Sequence, residues 1–160
     1  MNSENPFIKH KNINSIIEAV VMSINEIGAK DIFVGKHSIQ RGLDSSAPIS
    51  FVISLEVSPY LGELILCFPE SGLLQIYNLA AGASVNELTE EIRFIAEDIC
   101  TLTHSKLTDS FKNSEVPLNV SRPKSREMGT LCKAGSQVPA LVFPISWKND
   151  VLMRASLLVS

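Results

Sequence analysis

Two pairs of apolar runs, each pair separated by only four residues, set the terms on which this chain can fold. Pro48–Glu56 and Leu61–Phe68 flank Val57-Ser-Pro-Tyr60, and Val138–Ser146 and Val151–Val159 flank Trp147-Lys-Asn-Asp150. Short β-rich runs joined by tight, turn-forming connections read as antiparallel hairpins. Pro139 and Pro144 have no amide proton, which pushes their run toward an edge or a bulge, and Gly62 marks a bulge or a tight exit from its turn.

The segments between the hairpins read as helices and short connectors. Ile13, Ile16, Ile17, Val20, Val21, Ile24 and Ile27 recur at helical spacing, and Gly28 suits the end of that helix. Pro69 opens and Gly82 closes a shorter helix. Asp31–Lys36 and Val116–Val120 read as short strands, and the polar Ser38–Ala47 as a loop. Ser121–Gln137 carries Arg122, Lys124, Arg126 and Lys133 against Glu127 and reads as an exposed basic loop. Hairpins with helices between them specify an α+β fold, two-layer, with helices packed on a mostly antiparallel sheet. A hydrophobic content of 45% against 19% charged residues supplies its core, and 160 residues make it one domain spanning 1–160.

Charge and patterning exclude several classes. A net charge of −3 leaves no basic footprint for nucleic acid. No apolar run approaches the roughly 18 residues of a membrane span. The first residues carry no signal-peptide pattern, and Cys67, Cys100 and Cys132 are odd in number and widely spaced, as expected of reduced thiols in the cytoplasm. No Gly-rich phosphate loop, Gly-x-Ser-x-Gly elbow or His-Glu-x-x-His motif occurs, and no cofactor is expected.

The stretch from Ser84 to Phe111 reads as one long helix, with Ser84 and Glu87 at capping-box spacing. Leu88, Ile92, Ile95, Ile99 and Leu102 fall on one side. Arg93, Glu97, Cys100 and His104 form a second, polar ridge nearly opposite. The plainest reading is a solvated face on which Arg93 pairs with Glu97. A second is a metal or redox site on Glu97, Cys100 and His104, with Cys132 or His37 as a fourth ligand. A thiol nucleophile at Cys100 beside His104 is a third, although nothing nominates an oxyanion hole.

The order of elements resembles the CheC/CheX chemotaxis phosphatases, and CheX in particular, nearly end to end. Asn5-Pro-Phe7 leading into the first helix, the hairpin of Ser50–Leu55 with Gly62–Phe68, the helix through Leu73–Gly82 and the closing hairpin carry the resemblance. It implies a small domain that binds a CheY-type response regulator through its long helix and dimerises by joining sheets. In the family that helix bears Asp or Ser, then Glu, then Asn, then Gly; the Glu pairs with the regulator's lysine and the Asn orients the water that attacks the acyl phosphate.

Here Glu97 holds the Glu position, Arg93 stands for Asp or Ser, Cys100 for Asn and His104 for Gly. A thiol is a poor substitute for an amide that must both donate and accept. The resemblance therefore implies a receiver-binding surface of Arg93, Glu97, Cys100, Thr101 and His104, with phosphatase activity weak or lost. The alternative is an active phosphatase using Glu97 with Cys100, Thr101 or His104 positioning water.

Overall fold

Both expected hairpins form and lie side by side at the centre of one sheet. The computed structural model describes residues 5–41, 49–112, 118–133 and 138–159. Strands β3 (Ile49–Val57) and β4 (Tyr60–Phe68) turn at Ser58-Pro59, and β7 (Pro139–Trp147) and β8 (Asp150–Val159) turn at Lys148-Asn149. β4 and β8 pair with each other, so the order runs β1-β7-β8-β4-β3-β5 with every pairing antiparallel.

Both flanks of this core are interrupted strands. β1 (Ile32–Val34) and β2 (Ser38–Arg41) pair in turn with β7, and β5 (Asn119–Val120) and β6 (Lys124–Ser125) pair in turn with β3. The expected loop from Ser38 is thus a strand as far as Arg41, and its remainder lies outside the described residues. So does the part of the Val116–Val120 strand before Leu118.

β7 is an interior strand rather than an edge. Its proline is accommodated by the break in its neighbour: Pro144 O accepts from Gly35 N at 2.8 Å, so its missing amide faces the gap between β1 and β2. The register does shift between Ile145 and Ser146, but the extra residue, Leu152, lies on β8 and not on β7. Gly62, by contrast, sits in regular register opposite Leu55 and Val159. It is small because Phe7 lies over it; a Cβ there would come within 2.8 Å of the Phe7 ring. That ring is 1% exposed, a burial that contributes about 1.5–3 kcal/mol.

One face of the sheet carries the helices α1 (His10–Ile27), α2 (Glu70–Ala81) and α3 (Glu90–Phe111). α1 ends on Gly28 with φ 121°, as its periodicity predicts. α2 lies so close to β8 that a Cβ on Gly72 would overlap Leu152 O at 1.9 Å. β4 is buried on both sides, which is why it reads as a continuous apolar run rather than an alternating one. Leu64, Leu66 and Phe68 point to the helices, while Ile65 and Cys67 join a smaller cluster with Val52, Val142, Leu158 and Leu131 on the opposite face.

That second cluster corrects the reading of residues 121–133 as an exposed loop, while 134–137 lie outside the described residues. The chain there forms β6, a 3-10 turn over Arg126–Met128 and the one-turn helix α4 (Thr130–Lys133). The wholly buried carboxylate of Glu63 on β4 holds α4 down by accepting from Leu131 N and Cys132 N, each at 3.0 Å. A buried carboxylate needs such partners.

Candidate functional site

The long helix begins later than its sequence suggests. Asn78 clamps Val85 with two hydrogen bonds, accepting from its N–H at 2.9 Å and donating to its O at 3.1 Å, which keeps Ser84–Leu88 out of the helix. Thr89 is the cap, its Oγ1 accepting from Ile92 N at 3.3 Å, and Glu90 and Glu91 follow in the first turn where negative charge is favoured.

The inward face also differs from the purely apolar stripe. Ile92, Ala96, Ile99, Cys100, Thr103 and Leu107 are buried, whereas Ile95 and Leu102 flank the contact half-covered. Thr103 can point inward because it donates to Ile99 O at 2.7 Å and lies 3.1 Å from Ser23 Oγ, which itself donates to Ala19 O. Lys106 reaches Glu26 on α1 at 2.6 Å.

The polar ridge is therefore divided. Arg93, Glu97 and Thr101 are exposed, His104 is half-buried and Cys100 is completely covered. Arg93 pairs with Glu70 of α2 at 3.6 Å instead of with Glu97. Among the described residues Glu97 makes no ion pair. His104 Nε2 lies 3.4 Å from Val120 O and so joins α3 to β5. Burial above all, and then the negative charge of Glu97 and Cys67, hold the Cys100 thiol far above its usual range and therefore protonated.

Glu97, Cys100, Thr101, His104 and Ser105 form one wall of a cleft of about 560 Å³; Phe51, Arg122 and Pro123 form the other. The ridge thus supplies three of the lining residues, Glu97, Cys100 and His104, and Thr101 of the implied receiver-binding surface joins them, while Arg93 lies apart. Phe51, Ser105, Arg122 and Pro123 were not singled out by the sequence. Helix spacing could have found Ser105, one turn beyond Thr101, but only the pairing of β5 and β6 with β3 brings Arg122 and Pro123 opposite.

The cleft contains carboxylate, hydroxyl, imidazole and guanidinium groups, so it suits recognition of a charged surface. It does not assemble a metal centre: among the described residues no three His, Cys, Asp or Glu side chains are placed to hold an ion. Nor does it present a reactive thiol, because the Cys100 side chain is protonated and covered.

No family model and no curated protein sequence matches the chain. Solved structures do. A CheC-like superfamily protein from Shewanella sp. PV-4 superposes with a TM-score of 0.73 at 13% identity, covering 96% of this chain and 99% of that one. The fold is CheC/CheX-like. CheX in its complex with CheY, BeF3 and Mg2+ from Borrelia burgdorferi gives a TM-score of 0.65 at 13% identity, covering 92% and 96%. CheX from Vibrio vulnificus gives 0.64 at 15% identity, with the same coverage. Among the described residues no helix is long and apolar enough to cross a membrane.

Proposed function

We propose that this CheC/CheX-like chain is a cytoplasmic signalling module, one domain over 1–160, that docks a CheY-type receiver domain through the Glu97 helix and has weak or no phosphatase activity. The observation that carries this reading is the contrast between two residues one helical turn apart. Glu97 is exposed in the lining of the cleft and, among the described residues, makes no ion pair, while Cys100 is wholly covered and protonated. The first can meet a partner's lysine. The second cannot hold and orient a water as an amide does. Arg93, Thr101 and His104 frame the contact.

The Borrelia burgdorferi neighbour is a CheX held with CheY, which supports a receiver as the partner class. We further propose a homodimer formed along the β1–β2 edge, where Phe33, Val34 and Ile39 are exposed beside a sheet edge. An uncovered edge carrying apolar side chains calls for a partner.

Phosphate release from phosphorylated receiver domains tests the catalytic half. Wild-type protein at the background rate supports the reading. Robust turnover that disappears in Glu97→Ala would establish an active phosphatase instead, with the exposed Thr101 hydroxyl as the water-positioning group. Capture of a receiver by wild type and its loss in Glu97→Ala tests the docking half, and light scattering of wild type against Ile39→Asp tests the dimer.

A further inference from the structure

Arg122 faces the Glu97 helix from the far wall of the cleft, and its placement is fixed by the backbone on either side. Ser121 N donates to Ser54 O at 2.9 Å, and Ser54 N donates to Ser121 Oγ at 2.8 Å, so the residue before Arg122 is tied to β3 twice. Pro123 fixes the backbone angle just after it, and His104 joins the preceding strand to α3 through Val120 O. Arg122 is exposed, and among the described residues it makes no ion pair. Glu97 and Arg122 thus line one cleft with opposite charges and do not neutralise each other. Such a pair is complementary to a surface that carries a cation and an anion side by side in the reverse order.

We propose that Arg122 is the phosphoryl-recognising residue of this cleft: it meets the partner's phosphorylated aspartate while Glu97 takes the adjacent cation, so docking selects the phosphorylated receiver. This inference rests on the docking reading above and adds its state specificity. A guanidinium presents a planar fork of donors suited to oxyanions. Thr101 and Ser105 add hydroxyl donors on the facing wall, and a phosphoryl group offers three oxygens and close to two negative charges to receive them. A single carboxylate would offer less charge to offset the repulsion from Glu97.

The experiment is calorimetric titration of purified receiver domains from the same organism, each with and without beryllium trifluoride and Mg2+, into wild type, Glu97→Gln and Arg122→Gln. Wild type should prefer a loaded receiver. Arg122→Gln should weaken the loaded form roughly 10- to 100-fold, in keeping with loss of charge-assisted hydrogen bonds. It should leave the unloaded form within about 2-fold and the melting temperature unchanged, since the side chain is exposed. Glu97→Gln should weaken both forms. An Arg122→Gln variant that binds the loaded receiver normally, or that loses both forms equally because the arginine meets a carboxylate, overturns the proposal and leaves docking intact. Failure of wild type to bind any receiver removes both.

Discussion

Arg93 reaches across to Glu70 on α2, Nη2 to Oε1 at 3.6 Å, and leaves Glu97, one turn further along its own helix, unneutralised. Both partners of that pair are about half exposed, so the contact contributes little; exposed ion pairs are worth about 0–1 kcal/mol. Its effect is on availability: among the described residues the Glu97 carboxylate in the cleft makes no ion pair. Arg93→Ala should change stability by less than about 0.5 kcal/mol. Glu97→Gln should leave the melting temperature unchanged yet reduce receiver affinity at least about 10-fold. Thermal denaturation and titration on the same samples check the pair.

The covered thiol of Cys100 and the half-covered thiol of Cys132 impose a pH dependence on stability. Burial, then the hydrogen bond and charge of Glu63, push Cys132 up to about 12, and Cys100 is raised beyond the usual thiol range by burial and by Glu97 and Cys67. Each folded thiol keeps its proton after the unfolded one, at its ordinary value of 9.0, has lost it. The native state then holds more protons, so stability is complete below pH 9 and falls as pH rises beyond it. Each group adds a slope of at most about 1.4 kcal/mol per pH unit. Urea titrations between pH 8 and pH 11 should show this decline, and Cys100→Ala should flatten it. Over the same range the native protein should resist thiol reagents at Cys100.

Glu63 anchors the short helix on the back of the sheet through Leu131 N and Cys132 N. Glu63→Ala strands both amides, at a cost of about 1–3 kcal/mol for each unsatisfied buried group. Because α4 has only one turn of its own, the expected result is local release. Cys132, now half-covered, should become reactive to thiol reagents well below the temperature of global unfolding, and labelling rates measured alongside circular dichroism will separate the two events.

Two competing caps at the start of the long helix give a sharp contrast. Thr89→Ala should cost about 1 kcal/mol, the usual worth of a capping hydroxyl. Ser84→Ala should cost almost nothing, because Ser84 lies outside the helix. Chemical denaturation of the two variants decides between the caps.

That contrast shows where the sequence was legible. The hairpins, α1 and α2 depend on local alternation, helical spacing and terminal Pro or Gly, and all of these could be read directly. The start of α3 could not, because Ser84 and Thr89 both offer cap signals and the choice is made by Asn78, which seizes Val85. The buried face of α3 was misjudged by counting only apolar side chains: Thr103 enters the core by satisfying its hydroxyl on Ile99 O, and Cys100 behaves as a small apolar group.

In the cleft, Glu97, Cys100 and His104 follow from helix spacing alone, and Thr101 from the resemblance. Arg122 does not. Its approach depends on the register of β5 and β6 against β3, a long-range choice that no local pattern records. The fold of residues 121–133 similarly depends on Glu63, a single carboxylate distant in the chain.

The interrupted flanks of the sheet bear on how the protein behaves in concentrated solution. Among the described residues β1 offers three residues and β2 four, with 35–37 unpaired as strand between them, and on the other side β5 and β6 offer two each around 121–123. An intruding strand can make only a few ladder bonds on either flank before losing register, so neither flank can template a growing ribbon. Association there is self-limiting. Two copies can close on one another, but a fibre has no continuous rail to follow.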